Sequence, residues 1–298
     1  MAHQTRRDFL KTGVAAAILG GAGSAIPARA AKRAATDWVT LGNSGVKVTR
    51  LALGTGTFGG QVQRDMGQEN FTRMVRHAYD RGIRFFETAD SYTGMPQMLA
   101  NALQGIPRDS YRLMTKYRAR PGDNTAATID RFRKDLNTDY FDIVLVHARR
   151  SPQWVEEDKP FQDAFSEAKS KKILMAHGVS IHGLQALRRA PGTKWLDVAL
   201  CRVNHNGTRM DAASLQEDTN QPGDVDEVVK HVKALHEQGT GVLGMKLIGE
   251  GRFTKEEDRE KALRFAMGLG AVDAVTIGYK SIDEVDQAIA RFDRVLNA

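Results

Sequence analysis

The chain has 298 residues, with 43 Lys and Arg against 36 Asp and Glu, a net charge of +7 with histidine neutral. That length suits one α/β domain of about 250 residues with a short extension. No apolar run reaches the ~20 residues of a membrane span. The basic residues are spread along the chain rather than gathered in a stripe, which argues against a nucleic-acid binder. Cys201 is the only cysteine, so no intramolecular disulfide can form.

The first thirty residues differ from the rest. Thr5-Arg6-Arg7-Asp8-Phe9-Leu10-Lys11 precedes a weakly apolar run of small residues from Thr12 to Ile26, and Ala28-Arg29-Ala30 follows as a small-residue cleavage site. The segment resembles a twin-arginine signal peptide, residues 1–30. The resemblance implies recognition by the twin-arginine export machinery, a periplasmic location, and no stable membrane association once the signal is cleaved. Cleavage after Ala30 would remove a net charge of +3 and leave about +4 on the remainder. Export of an already folded protein is compatible with the lack of disulfides and with loading of a cofactor before transport.

From residue 38 to 298 the chain reads as one domain. A hairpin opens it: Trp38 to Leu41, a turn at Gly42-Asn43-Ser44-Gly45, then Val46 to Arg50. Eight short strand runs follow, at Leu51–Gly54, Ile83–Glu87, Arg112–Lys116, Ile143–Val146, Leu174–Val179, Val198–Val203, Gly241–Lys246 and Ala274–Ile277. Most are rich in Val, Ile, Leu or Phe, as buried parallel strands are. Amphipathic stretches lie between them. Phe71, Met74, Val75, Ala78 and Tyr79 line one helical face before Gly82, and Ile282, Val285, Ile289, Phe292, Val295 and Leu296 repeat the pattern near the C-terminus. Eight strand–helix pairs in this length predict an α/β fold, a (β/α)₈ TIM barrel carrying an N-terminal β-hairpin. A doubly wound sheet is the alternative. It is weakened by the lack of a Gly-x-Gly-x-x-Gly turn opening the first helix.

Active sites of such barrels lie at the C-terminal ends of the strands. Strand two runs into Glu87-Thr88-Ala89-Asp90-Ser91-Tyr92, strand three ends in Lys116, and strand four ends in His147. A carboxylate, a tyrosine, a lysine and a histidine from three adjacent strands are therefore placed to converge. Arg149, Arg150 and Trp154 follow His147 and would give a pocket an aromatic wall with guanidinium groups, suited to an acidic or polyhydroxylated carbonyl compound; a solvated basic loop is the alternative.

From Leu41 to the C-terminus the chain resembles the aldo-keto reductases. The resemblance rests on Leu41-Gly42-Asn43-Ser44-Gly45-Val46-Lys47-Val48, on Gly54-Thr55-Gly56-Thr57-Phe58-Gly59, and above all on Gly82-Ile83-Arg84-Phe85-Phe86-Glu87-Thr88-Ala89 followed by Tyr92. It implies a nicotinamide-dependent reduction of an aldehyde or ketone, or the reverse, with a catalytic tetrad at Glu87, Tyr92, Lys116 and His147. Tyr92 would be the proton donor, with its pKa lowered by Lys116; Glu87 would hold Lys116, and His147 would orient the carbonyl oxygen. The implied cofactor residues are Gly54, Thr55, Gly56, Ser180, Lys246, Gly278, Lys280 and Ser281. The implied cofactor is NADPH, with NADH open, and the implied partner is a small carbonyl compound.

Three positions depart from the family pattern. Glu87 stands where Asp is usual, so the resemblance implies that Glu87→Asp keeps or raises activity. Ile181 stands where an Asn usually holds the nicotinamide carboxamide. Glu284 stands where Arg or Gln is frequent and would repel a 2′-phosphate, while Lys280 would attract one. Two other functions are open to this barrel. One is a metal-dependent hydrolase drawing ligands from His147, His177, His182, His205, Glu87 and Asp90, although no metal ligand is assigned. The other is a nicotinamide-binding sensor without turnover.

Overall fold

In the run Leu51-Ala52-Leu53 successive side chains must point to opposite faces of a strand. In the computed structural model Leu51 and Leu53 face outward into the layer beneath the helices, while Ala52 faces inward. The same alternation recurs around the molecule, and it closes the sheet. The structure describes residues 32–120, 122–212 and 221–298; the proposed signal peptide, residues 1–30, lies outside them.

Trp38–Thr40 (β1) and Lys47–Thr49 (β2) form an antiparallel hairpin. The barrel follows: Leu51–Gly54 (β3), Phe85–Glu87 (β4), Arg112–Tyr117 (β5), Phe141–Arg149 (β6), Leu174–Ile181 (β7), Val198–Arg202 (β8), Gly241–Met245 (β9) and Ala274–Gly278 (β10). All eight pair in parallel in chain order, and β10 closes on β3. The fold is the (β/α)₈ barrel with an N-terminal hairpin read from the sequence.

Strand ends differ from the periodicity in physically interpretable ways. The fourth barrel strand is longer than Ile143–Val146; a register shift between Val146 and Arg149 and a left-handed Ala148 (φ 59°) carry it past the core into the mouth. The seventh stops at Met245, because Lys246 takes φ 60° and cannot continue the ladder. The second begins at Phe85 rather than Ile83.

Two apolar layers result. Ala52, Phe85, Met114, Ile143, Leu145, Ala176, Val198, Leu200, Leu243 and Ala274 fill the barrel interior, and Leu41, Val46 and Val48 of the hairpin close its floor. The hairpin turn approaches so closely that a β-carbon on Gly42 (φ +45°) would collide with the Gly239 carbonyl oxygen. Outside the strands, helix Gly67–Asp80 buries Phe71, Met74, Val75 and Ala78, the face expected from the spacing. Helix Ile282–Leu296 buries Val285, Ile289, Phe292 and Val295. Each fully buried Phe or Leu contributes about 1.5–3 kcal/mol, so the floor and walls are rigid and the open end is free to carry polar groups.

Candidate active site

Continuing each inward row by two residues leads from the core into the mouth. Phe85 is followed by Glu87, Met114 by Lys116, Leu145 by His147, Leu200 by Arg202, and Ala274 by Thr276 and Gly278. The polar residues of the mouth are thus the last inward positions of strands whose lower positions are apolar.

Lys116 is buried, with 1% of its surface exposed. Its ammonium pairs with Glu87 Oε1 and donates to the Thr88 carbonyl at 2.8 Å. Thr276 Oγ1 donates to the second oxygen of Glu87 at 3.2 Å. The longer Glu87 side chain, unusual for the pattern, is accommodated by Gly54, where a β-carbon would lie 2.9 Å from Oε2. Burial, with the nearby Lys246, pushes the Lys116 pKa well below the ordinary lysine value.

Tyr92 sits in the loop after β4, its backbone N–H donating to the Ala89 carbonyl at 3.2 Å. Lys116 Nζ lies 4.7 Å from its ring centroid. The His147 ring stands across it, 5.7 Å away at an interplanar angle of 81°. Ser91 Oγ lies 3.1 Å from His147 Nδ1. The four tetrad residues are therefore brought together. Their electrostatics differ from the sequence expectation in one respect. The Tyr92 pKa is raised, not lowered: burial dominates, and the carboxylates of Glu250 and Asp90 add to it. Tyr92 is a protonated phenol in this environment. Burial, then the charges of Lys116 and Arg118, holds His147 well below the usual histidine value, so it is neutral.

Glu87, Tyr92 and Lys116 open onto a cavity of about 340 Å³, while His147 is buried across the Tyr92 ring and does not line it. Gly54, Gly56, Lys246, Gly278 and Lys280 line it, as do Glu87, Tyr92 and Lys116. Thr55 does not; it is buried, and its hydroxyl donates to Thr88 Oγ1 at 3.0 Å. Ser180 is buried beside the mouth rather than on the wall, and its hydroxyl has no partner. Ser281 is the N-cap of helix Ile282–Leu296, accepting from the Glu284 N–H at 3.2 Å. Glu284 does lie on the wall, with Oε2 accepting from the Lys280 backbone N–H at 2.9 Å.

The expected aromatic wall after His147 is not formed. Trp154 is wholly buried in the outer layer, its indole N–H donating to the Ala186 carbonyl at 3.1 Å, and Arg149 pairs with Asp158 at 2.7 Å. A large ring at that position gains more from the helix layer than from the open mouth. The histidines are also divided. His177 stacks on Trp195 with centroids 4.4 Å apart, and His205 lies against Phe253. Among the described residues no group of three or more His, Cys, Asp or Glu is placed to hold a metal ion.

Sequence reasoning missed a charged cluster on the cavity wall. Glu250 pairs with both Lys246 and Arg209. All three residues, with Phe58 and Ala148 at the same end, adopt left-handed backbone conformations that non-glycine residues rarely take. It also passed over Thr276 and Arg202, which the inward period of two would have exposed.

Comparison with known proteins places the chain among reductases. L-galactose dehydrogenase of Arabidopsis thaliana is 22% identical over 301 residues, covering 84% of this chain and 86% of its own length. A Glycine max protein named probable aldo-keto reductase 1 is 25% identical over half of each chain. Among solved structures, aldo-keto reductase AKR11C1 from Bacillus halodurans, in its holo form, superposes with a TM-score of 0.63 at 19% identity, covering 88% of this chain and 91% of that one. An aldo-keto reductase from Klebsiella pneumoniae in complex with NADPH gives 0.59 at 18%, covering 86% and 89%. The model of the aldo/keto reductase family matches residues 50–268. With the tetrad positions meeting at the mouth of a closed barrel, this match establishes that the chain belongs to the aldo/keto reductase family.

Proposed function

We propose that this barrel is an NAD(P)H-dependent oxidoreductase that reduces an aldehyde or ketone to an alcohol, with Tyr92 as the proton donor. The observation that carries this reading is the buried Glu87–Lys116 pair held against the Tyr92 ring in a cavity large enough for a small carbonyl compound. When bound, a reduced nicotinamide supplies the hydride that reaches the carbonyl carbon.

The chain's own residues fit such a group. Gly54, Gly56 and Gly278 keep one wall free of side chains, and a β-carbon on Gly278 would meet the Thr57 hydroxyl. The Ser180 hydroxyl is unpartnered but buried off the cavity wall, so it offers a bound cofactor no direct contact in this arrangement. Lys280, Arg259 and Arg291 give the cavity a positive lining suited to phosphate oxygens, while Lys246 is paired with Glu250. That lining favours NADPH; Glu284 on the same wall keeps NADH open.

Proton delivery follows from the positions. The raised Tyr92 pKa keeps the phenol protonated through neutral pH, so the proton is present when oxygen develops negative charge. Lys116 then stabilises the phenolate formed when Tyr92 Oη gives up its proton. Glu87, tied to both Lys116 and Thr276, holds the ammonium in place. Neutral His147, edge-on to the Tyr92 ring and bonded to Ser91, would hold the phenol in the position from which it delivers its proton.

The test is single-turnover reduction of an activated carbonyl compound by the parent and by Tyr92→Phe, followed by nicotinamide absorbance. General acid catalysis contributes about 10²–10⁴-fold, so Tyr92→Phe should lose at least that order while still binding the cofactor. Equal rates would overturn the assignment, and cofactor binding without turnover by the parent would favour the sensor reading.

The N-terminal residues support a second proposal, made on sequence alone: Arg6-Arg7 directs export by the twin-arginine route to the periplasm. Replacement of both by lysine should hold the precursor in the cytoplasm. Undiminished mature protein in the periplasm would overturn it.

A further inference from the structure

His182 is the next inward residue after Ser180 and lies on the cavity wall. It belongs to a chain of buried polar groups that the reductase reading does not use. Arg202 Nη2 lies 2.7 Å from His182 Nδ1, and Arg202 Nη1 lies 3.5 Å from Asp211 Oδ1. Arg202 and Asp211 are 5% and 1% exposed. The His182 ring stands at 86° to that of His147, with centroids 5.9 Å apart.

The tautomer of His182 follows from chemistry alone. A guanidinium has only donors. Nδ1 must therefore accept, and in a neutral ring the proton then sits on Nε2. Neutrality is supported by burial, followed by the charge of Arg202, which together hold the His182 pKa well below the usual value. No group among the described residues pairs with Nε2, and it is not among the fully buried unpartnered atoms. Since the ring is half-buried on the cavity wall, Nε2–H reaches the cavity.

We propose that His182, fixed by Arg202 and Asp211, is a substrate-positioning residue whose Nε2–H binds a second, uncharged oxygen on the carbon next to the reacting carbonyl. This rests on the reductase reading and names its substrate class: an uncharged α-oxygenated aldehyde or ketone. Two neutral donors lining the cavity, on Tyr92 and His182, then face adjacent oxygens of one molecule.

The charges on this side argue against a carboxylate in that place. Lys246 and Arg209 are both committed to Glu250, and Arg202 is committed to His182 and Asp211. A plain alkyl aldehyde is disfavoured for the opposite reason. It would cover Nε2–H without supplying an acceptor, and a donor left unsatisfied is costly.

The test uses the purified full chain at saturating NADPH, with kcat/KM measured for glyceraldehyde, propanal and glyoxylate. The parent should prefer glyceraldehyde to both others. His182→Phe keeps a ring of similar size and removes the donor, so kcat/KM for glyceraldehyde should fall about ten-fold, the worth of one hydrogen bond. Propanal should not fall and should rise by several-fold, since no bond to it is lost and the unsatisfied donor is removed. His182→Gln, which offers a side-chain N–H at similar reach, should restore most of the preference. Equal effects of His182→Phe on glyceraldehyde and propanal would overturn the inference. So would a parent preference for glyoxylate. A matching rise in the NADPH dissociation constant would overturn it too, assigning the donor to the cofactor. If the parent reduces none of the three with either NADPH or NADH, the reductase reading falls and takes this inference with it.

Discussion

Gly56 lies against the Tyr92 hydroxyl: a β-carbon at position 56 would come within 2.5 Å of Oη and 2.6 Å of Cζ. The ring is rigid and cannot bend aside, so the whole side chain would have to swing. Gly56→Ala should therefore displace Tyr92, the proposed proton donor, without changing any residue proposed to act in the reaction. A displacement of about 1 Å can cost ~10²-fold in rate. Single-turnover reduction should fall by that order while the thermal melt of the barrel changes little. An unchanged rate would show that the proton does not come from Tyr92.

Position 87 is shaped for glutamate. Family pattern alone favours Glu87→Asp as neutral or beneficial, but the shorter carboxylate cannot reach both Lys116 and the Thr276 hydroxyl. Loss of one hydrogen bond costs about 1 kcal/mol, so Glu87→Asp should be slightly less stable and less active. Glu87→Gln should be far worse, about 3–5 kcal/mol, because it leaves Lys116 buried without a counter-charge. Urea unfolding of both variants against the parent would check the order.

The neutral His147 makes a distinct contribution to pH dependence. Its folded pKa lies well below the unfolded value near 6.5. Below pH ~6.5 the unfolded chain takes up a proton that the folded chain does not, so this contribution to stability is lost as pH falls. Between pH 6.5 and 5.5 the loss should be about 1 kcal/mol. His147→Gln cannot titrate, so its unfolding free energy should fall by about 1 kcal/mol less than the parent's over that interval. Denaturant curves at the two pH values give the comparison; parallel losses would refute it.

Glu250 links the ion cluster to the phenol. Its charge is among the causes that raise the Tyr92 pKa, after burial. Glu250→Gln removes that charge, so the phenol should deprotonate at lower pH and the alkaline limb of the reduction profile should move down. The same change leaves Lys246 and Arg209 without their shared carboxylate, which should cost about 2–3 kcal/mol for a partly buried pair. A pH–rate profile and an unfolding curve separate the two effects.

Glu284 bears on cofactor choice. Its carboxylate is on the cavity wall, 4.0 Å from Lys280 Nζ and bound to the Lys280 backbone N–H. A carboxylate about 4 Å from a bound 2′-phosphate would repel it in water by about 1 kcal/mol. Glu284→Gln should thus improve NADPH binding relative to NADH by about five-fold. Fluorescence titration with both cofactors measures the ratio. No change would place the 2′-phosphate elsewhere.

By itself the sequence determined the eight strands, the hairpin, the faces of the first and last helices, and the arrival of Glu87, Tyr92, Lys116 and His147 at one end. These features are local: alternation and helical spacing repeat within a few residues, and a strand end is marked by where apolar positions give way to polar ones. Only the tertiary structure decided which polar residue meets which. The pairings Arg202 with His182, Arg209 with Glu250 and Thr276 with Glu87 span 20, 41 and 189 residues. They exist because barrel closure and register set neighbouring loops side by side. The same closure hides Thr55 and Ser180 from the cavity wall, draws Trp154 into the helix layer and turns Ser281 into a helix cap. It also raises the Tyr92 pKa, since burial depends on everything that surrounds the ring, and residues adjacent in sequence supply little of that.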